Sequence, residues 1–310
     1  MTTAEESVKE TNEEVIKDIE SLENLAKVAL KSRRGGFIVP LKDTEMLYEA
    51  MIHILRDLTV LIKDVNKAST FLNAKGIDRI IAYNFLIPHN EVRINLLILT
   101  KALFEVTPIE TSAVIPENIV DGLLHIFENE SNLALKAHAL DILYLWLPKN
   151  PVIQARVMKL KGLEPFYNQI SMLDISVVQT LLDLFNKILK EHITDLDKLR
   201  LYQRIGLVER MSTPTVCNGL LNIFEVAWNF SNNDILLTVF EIIRNIKPFC
   251  ISIYGGNTKA IELFTALLEY VHNEENIEYM LRHDVNVTTV ESIIQDYISK
   301  IKTPENRDEL

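Results

Sequence analysis

The 310-residue chain has few residues that interrupt helices, with only 9 glycines and 10 prolines. It also lacks the period-two alternation and the glycine-containing turns that are typical of strands and hairpins. Hydrophobic residues make up 48% of the chain and charged residues 24%, which indicates a folded chain rather than a disordered one. The scarcity of breakers excludes a β-rich fold and predicts an all-α protein.

The chain also has fewer basic than acidic residues. It contains 32 Lys and Arg and 43 Asp and Glu, which gives a formal net charge of −11. Nucleic-acid binding needs a cationic surface, so we expect no nucleic-acid partner. No uncharged apolar run reaches the roughly 18 residues that cross a bilayer, and we expect no membrane insertion. The opening residues MTTAEESVKE lack the basic and apolar regions of a secretory signal.

Sequence motifs of catalytic, nucleotide-binding and metal-binding sites are missing too. The chain contains no glycine-rich nucleotide loop, no nucleophile elbow, no HExxH and no CxxC. Its seven histidines are scattered without metal-ligand spacing. The pairs Gly35-Gly36 and Gly255-Gly256 indicate turns, and Trp146 and Trp228 lie on apolar helices and are predicted to be core residues. We therefore predict that the protein is not an enzyme and has no catalytic residue, metal or cofactor.

Cysteine is nearly absent, with only Cys217 and Cys250. In an oxidising compartment the two would form one disulfide, whereas two inert buried thiols are the alternative, and their spacing does not decide between them. Three sequons, at Asn129, Asn229 and Asn286, are candidate glycosylation sites. These features are compatible with a lumenal protein.

The last four residues, Arg307, Asp308, Glu309 and Leu310, are similar to the KDEL/HDEL retrieval signal of the endoplasmic reticulum. A solvated acidic terminus is the alternative. A lumenal protein must first be translocated. If the tail is a retrieval signal, we expect residues 1–310 to be a mature chain from which the signal peptide has been removed.

A repeat is visible beyond residue 70. Its junctions recur at spacings of 42, 44 and 44 residues, and each carries glycine or asparagine, as a left-handed turn residue requires. The four junction residues are Gly76, Asn118, Gly162 and Gly206. After each junction a short helix precedes a longer apolar one, and the longer helices are predicted to begin near Val92, Leu135, Val177 and Ile235. The last long helix starts farther from its junction residue than the other three do, which indicates an insertion before it.

A period in the low forties built from bent helical units is typical of armadillo and HEAT repeats, which stack into a curved, right-handed solenoid. Upstream, Val15, Ile19 and Leu22 share one helical face, and Asp43 or Thr44 is the expected N-cap of a second helix. The predicted organisation is N-terminal capping helices in 1–72, four repeats in 73–256, C-terminal capping helices in 257–302 and a tail in 303–310.

The longer helices of such a solenoid line its concave groove. We expect the third, sixth and tenth positions after each helix start to face this groove. The polar residues at these positions are Asn95, His138, Asp141, Thr180, Asp183, Lys187, Thr238, Glu241 and Asn245. Simple solvent exposure is the alternative interpretation. We predict that these residues bind a protein partner.

Several segments resemble one known family. DVNKASTFLNAKGIDRII (64–81) and KLKGLEPFYNQI (159–170) are similar to repeat junctions of the Sil-one/BiP-associated protein family, the armadillo-like nucleotide exchange factors of the endoplasmic reticulum lumen. TVCNGLLNIF (215–224) and IKPFCISIY (246–254) place Cys217 and Cys250 where cysteines are expected in that family. The resemblance extends from about residue 45 to the C-terminus.

The resemblance implies a monomeric protein without enzymatic activity. Members of the family wrap their concave face around lobe II of the nucleotide-binding domain of BiP, the lumenal heat-shock chaperone, and open its cleft so that ADP leaves. Some members carry an N-terminal cysteine pair with redox activity. Residues 1–72 contain no cysteine, so that activity is not expected here.

Two alternative functions remain open. A cytosolic exchange factor of the same fold would make the tail and the sequons accidental. An armadillo scaffold or adaptor that binds an extended peptide would favour an asparagine at the tenth position of each long helix. Only Asn245 fits that pattern, because the tenth position of the other three long helices is occupied by Ala102, Leu145 and Lys187.

Overall fold

A computed structural model describes residues 2–34, 41–85, 87–160, 162, 166–167 and 170–302. Every regular element within these ranges is a helix, and none is a strand, which confirms the predicted all-α class. None of the described helices combines the length and the apolar character that a bilayer span needs. The helices form two compact units, residues 1–146 and 147–310.

The first unit contains seven α-helices and one π-helix in its described residues. Helix α4 packs against both α2 and α7, α6 packs against α7, and α1 packs against α2 and α3. The helices are α1 (Thr2–Arg34), α2 (Leu41–Leu61), α3 (Val65–Asn73), the π-helix Ile77–Ala82, α4 (Asn90–Val106), α5 (Pro108–Val114), α6 (Ile119–Asn129) and α7 (Leu133–Trp146).

The second unit is built around contacts between α9 and α13, α12 and α13, and α14 and α16, while α8 packs on α10. Short 3-10 turns precede α9 and α10. The helices are α8 (Pro151–Leu160), α9 (Ile175–Thr194), α10 (Leu199–Ile205), α11 (Leu207–Met211), α12 (Pro214–Asn229), α13 (Asn233–Cys250), α14 (Thr258–His272), α15 (Glu274–Arg282) and α16 (Val287–Lys302). The extra length predicted before the last long helix contains α12.

The four long helices begin two residues earlier than predicted, at Asn90, Leu133, Ile175 and Asn233. The two added residues are polar in α4 and α13, where a search for apolar periodicity passes over them, whereas α7 and α9 begin with the exposed apolar residues Leu133 and Ile175. Asn232 caps α13 by accepting a hydrogen bond from the backbone N–H of Ile235 at 3.0 Å, and Asn132 does the same for α7. The expected cap at Asp43 or Thr44 is wrong, since α2 already begins at Leu41 and Asp43 lies in its first turn.

The junction residues do not all adopt the predicted left-handed conformation. Gly162 and Gly206 do, with φ of 68° and 72°. Asn118 is right-handed with φ of −69°, so the prediction is wrong there. Asn118 caps the start of α6 in a helical conformation, which removes any need for positive φ.

Gly76 is also right-handed, with φ of −58°, and the preceding Lys75 carries the positive φ of this turn, 58°. The glycine is required for a different reason. A Cβ atom at this position would lie 2.5 Å from the ring of Phe71, which is fully buried. Gly76 therefore permits a close approach of backbone to ring, and the left-handed turn prediction is wrong at this junction.

The core contains most of the apolar residues that the sequence assigned to it. Val15, Ile19 and Leu22 of α1 are fully buried, and Trp146 is 2% exposed. Trp228 is only half-buried, so its assignment to the core is wrong. Its ring meets the edge of the Tyr270 ring at a centroid distance of 6.1 Å near the surface of the second unit.

Gly255-Gly256 forms the predicted turn, where Gly256 has φ of 72° and donates a backbone hydrogen bond to Ile301 O at 3.1 Å. Cys217 in α12 and Cys250 at the end of α13 are joined by a disulfide, with their Cα atoms 5.4 Å apart and both side chains fully buried. The predictions for Gly35-Gly36 and for the tail residues 307–310 lie outside the described residues.

Candidate protein-binding site

Most of the polar residues predicted to line a groove lie on the outward sides of α4, α7, α9 and α13, opposite the buried stripes of these helices, but Asn95 is buried. In each unit they meet polar side chains from a neighbouring helix. We call the set in the first unit polar face 1 and the set in the second unit polar face 2. Polar face 1 consists of Arg56, Asn95, Lys101, His138 and Asp141. Polar face 2 consists of Thr180, Asp183, Asn186, Lys187, Lys190, Thr238, Glu241, Arg244 and Asn245.

Polar face 2 is bridged from α9 to α13 at three levels. At the first level, Thr238 Oγ1 donates a hydrogen bond to Asp183 Oδ1 at 3.1 Å. One turn further along, Lys190 Nζ lies 2.7 Å from Glu241 Oε2, which also accepts a hydrogen bond from the amide of Asn186. These contacts join residues more than fifty positions apart in sequence.

The third level of polar face 2 is a pair of amides. Asn245 Nδ2 donates to Asn186 Oδ1 at 3.2 Å, so Asn186 contacts α13 through both ends of its amide. Thr180 does not bridge, because its hydroxyl donates to Ser176 O of its own helix at 3.0 Å. Lys187 is exposed, and its charge acts on Asp183.

The two carboxyl groups of polar face 2 have opposite pKa shifts. Burial raises the pKa of Asp183, and the hydrogen bond from Thr238 offsets only part of this effect. Burial also acts to raise the pKa of Glu241, but hydrogen bonds from Lys190 and Asn186 outweigh it, and the pKa is lowered. The face therefore presents a firmly ionised, cation-paired carboxylate beside one that is harder to ionise.

Polar face 1 is organised around two cross-helix contacts. Lys101 Nζ of α4 lies 2.8 Å from Asp141 Oδ2 of α7, and Arg56 Nε of α2 donates to Asn95 Oδ1 at 3.3 Å. Asn95 is 6% exposed, and its amide also donates to Glu91 O of its own helix at 2.8 Å. Asn95 is thus held by protein partners on both sides of its amide.

His138 completes polar face 1. Its Nδ1 atom lies 4.0 Å from Asp141 Oδ2, and its side chain is half-buried. Burial lowers the pKa of His138, although the charge of Asp141 acts in the opposite direction. This histidine is therefore neutral at pH 7, and Lys101 rather than His138 is the cation that pairs with Asp141.

Sequence reasoning missed about half of the bridging side chains, including Asn186, Lys190, Arg56 and Lys101. Asn186 lies three residues after Asp183, and Lys190 lies four residues after Asn186. They are therefore the next members of the same helical face. Extending the row on α9 by one turn would have found Lys190, whereas Asn186 lies between Asp183 and Lys187 and is found only if the face is taken to be wider. Arg56 could not be found in this way, because α2 is not one of the four long helices whose positions were used to predict the groove.

A cleft lined by both polar and apolar side chains adjoins polar face 2 between α13 and the start of α16. It has a volume of about 250 Å³. Glu241 and Arg244 line it together with side chains that include Leu237, Phe240 and Ile293. A recess of this kind beside a charged face has the composition of a protein interface, in which an apolar anchor is surrounded by polar contacts.

The three sequon asparagines are all exposed. Asn129 ends α6, and its Nδ2 donates to His125 O at 3.1 Å. Asn286 precedes α16, where its Oδ1 accepts from the backbone N–H of Thr289 at 3.0 Å. Asn229 is the last residue of α12. Glycosylation at these sites remains a prediction.

The described residues contain no group of three or more His, Cys, Asp or Glu that could hold a metal ion. Comparison with known proteins adds no relative: no family model matches the chain, and no curated protein matches it. Function therefore has to be inferred from the polar faces, the cleft and the sequence resemblance.

Proposed function

We propose that this chain is an armadillo/HEAT-like solenoid that acts as a nucleotide exchange factor for a BiP-type heat-shock chaperone. It binds lobe II of the chaperone's nucleotide-binding domain and favours the open cleft, from which ADP leaves. The observation that carries the proposal is polar face 2, where Asp183 and Glu241 on neighbouring long helices are bridged into one charged surface beside a cleft lined by polar and apolar side chains.

The solenoid is supported by a recurring contact within each unit. Long helices that follow one another along the chain pack side by side, α2 on α4 and α4 on α7 in the first unit and α9 on α13 in the second. Such nearest-neighbour stacking is the architecture of helical repeats. A stack of this kind presents side chains from successive helices in rows, as the exchange function requires.

The exchange mechanism follows from thermodynamic linkage. A factor that binds the open domain more tightly than the closed one weakens ADP by the same ratio by which ADP weakens the factor. A typical coupling of about 1–3 kcal/mol changes an affinity roughly 5–150-fold. Standard interfaces bury about 800 Å² on each partner, an area that polar face 2 and its cleft would supply together with neighbouring surface.

The lumen of the endoplasmic reticulum is the compartment we propose for this protein. The Cys217–Cys250 disulfide supports an oxidising environment. The exposed sequon at Asn129, the last residue of α6, is accessible to a glycan. Glycan on any of the three sequons of the native protein would exclude the cytosolic alternative.

The direct test is the release of fluorescently labelled ADP from the isolated nucleotide-binding domain of BiP. Adding the chain at micromolar concentration should accelerate release, and Asp183→Ala/Glu241→Ala should reduce the acceleration. A matched control is Glu225→Ala/Lys259→Ala, which removes an exposed ion pair of the same unit away from α9. Absence of any acceleration by the unchanged protein would reject the exchange function.

A scaffold that binds an extended peptide is the second candidate. It is favoured by Asn245, a half-buried asparagine at the tenth position of its long helix, because a side-chain amide can both donate to and accept from peptide backbone groups. The same assay separates the two functions. A scaffold would bind extended peptides through polar face 2 and leave the rate of ADP release unchanged.

A further inference from the structure

Two segments of this acidic chain are strongly basic. Residues 147–161 contain four Lys and Arg and no acidic residue, and residues 198–206 contain three and no acidic residue. With a total of −11, the rest of the chain carries −18. The helices within these segments, α8 and α10, pack against each other in the second unit. The fold therefore brings the basic residues of α8 and α10 into one region of the second unit.

A buried cluster fixes both helices against α9. Gln154 of α8 forms a hydrogen bond with His192 Nε2 at 2.8 Å, and the ring of Tyr202 of α10 lies on the His192 ring at a centroid distance of 4.3 Å. Glu191 contacts the same cluster, since it accepts from Gln154 Nε2 at 3.0 Å and from Tyr202 Oη at 3.4 Å. The inner faces of α8 and α10 are thus anchored, which orients their outer faces.

The outer faces carry basic and apolar side chains together. Lys159, Arg200 and Arg204 are exposed, and none has an ion-pair partner among the described residues. The apolar side chains of Val152 and Leu201 are 57% and 42% exposed. We call these five residues the basic patch. Of the acidic groups on either side of α10, Glu191 is engaged in the buried cluster and Asp195 pairs with Lys198 at 3.6 Å, whereas Asp197 and Glu209 are exposed.

We propose that the basic patch is a docking surface for an acidic, leucine-containing segment of a partner protein. The positive charges of the patch favour acidic residues in the partner segment. The exposed side chains of Val152 and Leu201 favour apolar residues between those acidic ones. A peptide segment is favoured over an anionic bilayer. A bilayer is broad enough to meet the exposed carboxylates of Asp197 and Glu209 on either side of α10 as well, whereas a narrow segment meets only the patch. The proposal is independent of polar face 2 and of the exchange function.

The test uses the full chain and a fluorescein-labelled peptide of four Glu-Leu-Asp repeats, with binding followed by anisotropy at 50 and 200 mM salt. Lys159→Glu/Arg200→Glu/Arg204→Glu should weaken binding by about tenfold or more at low salt and remove most of its salt dependence. The matched control, Lys17→Glu/Lys63→Glu/Lys302→Glu, reverses three exposed lysines outside the patch and should retain at least half of the affinity. Circular dichroism verifies that both variants are folded.

Two further probes decide the chemistry of the partner. A poly-glutamate peptide of equal charge should bind several-fold more weakly than the leucine-containing one, and Leu201→Ser should remove that difference. Equal binding of the two peptides would overturn the role of the apolar residues. Patch-dependent binding to phosphatidylserine vesicles would overturn the peptide assignment in favour of a membrane. Equal loss in the patch and control variants would overturn the patch itself.

Discussion

Asn245 of α13 donates a hydrogen bond from its side-chain amide to the side-chain oxygen of Asn186 of α9, at 3.2 Å across 59 positions of sequence. Asn186 is 8% exposed and also donates to Glu241. Since each amide has a limited number of donors and acceptors, this arrangement holds Asn186 and Glu241 in one orientation. Polar face 2 is therefore organised before a partner arrives, which reduces the entropy cost of binding.

Removing charge from both polar faces should weaken chaperone binding without unfolding the chain. The variant changes His138, Asp141, Asp183, Lys187 and Glu241 together to alanine, and we expect at least a tenfold loss of affinity, because interface charges that lose their partners cost binding energy. Isothermal titration calorimetry against the isolated nucleotide-binding domain measures it. Variants restricted to one face report which unit carries the contact, and unchanged affinity in all of them would show that binding uses another surface.

Truncating a core leucine should reduce stability. Leu143 in the first unit and Leu181 in the second are fully buried, and changing either to alanine should cost about 2–5 kcal/mol of unfolding free energy because a cavity is left behind. Leu145→Ala serves as the control, since that side chain is 36% exposed and should cost far less. Urea denaturation gives the values. A loss below 1 kcal/mol at Leu181 would contradict its place in the core.

Acid should destabilise the second unit through His192. Burial lowers the pKa of His192 from 6.5 to about 4. Between these values the unfolded chain binds a proton that the folded chain does not, so stability falls as pH decreases from about 6.5 and the loss is complete near pH 4. We expect a loss on the order of 2 kcal/mol, smaller than the full shift implies because the site relaxes on protonation.

His192→Gln should flatten this pH dependence, because glutamine retains a donor for Gln154 but does not titrate. His283→Gln is the matched control, since His283 is exposed and should leave the profile unchanged. Urea midpoints at pH 7, 6, 5 and 4 provide the measurement. A steep profile that persists in the His192 variant would assign the acid sensitivity to other groups.

Loss of the disulfide should destabilise the contact between α12 and α13. The bond closes a loop with a sequence separation of 33, for which the expected stabilisation is about 2–4 kcal/mol. Cys217→Ala/Cys250→Ala should lower the thermal midpoint, and a reductant should shift the unchanged protein in the same direction but leave the variant unaffected. Mass spectrometry of a non-reduced digest should recover the peptides of Cys217 and Cys250 joined. Two free thiols in the native protein would contradict the pairing.

The site was predictable only in part. Helical periodicity placed Asp183 and Glu241 on outward faces, because the spacing of apolar residues identifies which side of a helix is buried. It did not identify Lys190 as the cation that pairs with Glu241, since that contact depends on which turns of α9 and α13 lie side by side. Nor did it show that Asn95 is almost entirely buried.

The helical class, the buried stripe of each long helix and the start of that helix to within two residues all follow from the amino-acid pattern. These properties are local, because the 3.6-residue period and the capping residues act within a few turns. Three contacts are visible only in the packed molecule: the ring of Phe71 against Gly76, the bond between Cys217 and Cys250, and the hydrogen bonds of Asn186 with both Glu241 and Asn245. Those contacts depend on how packed helices are placed against each other, which no short stretch of sequence encodes.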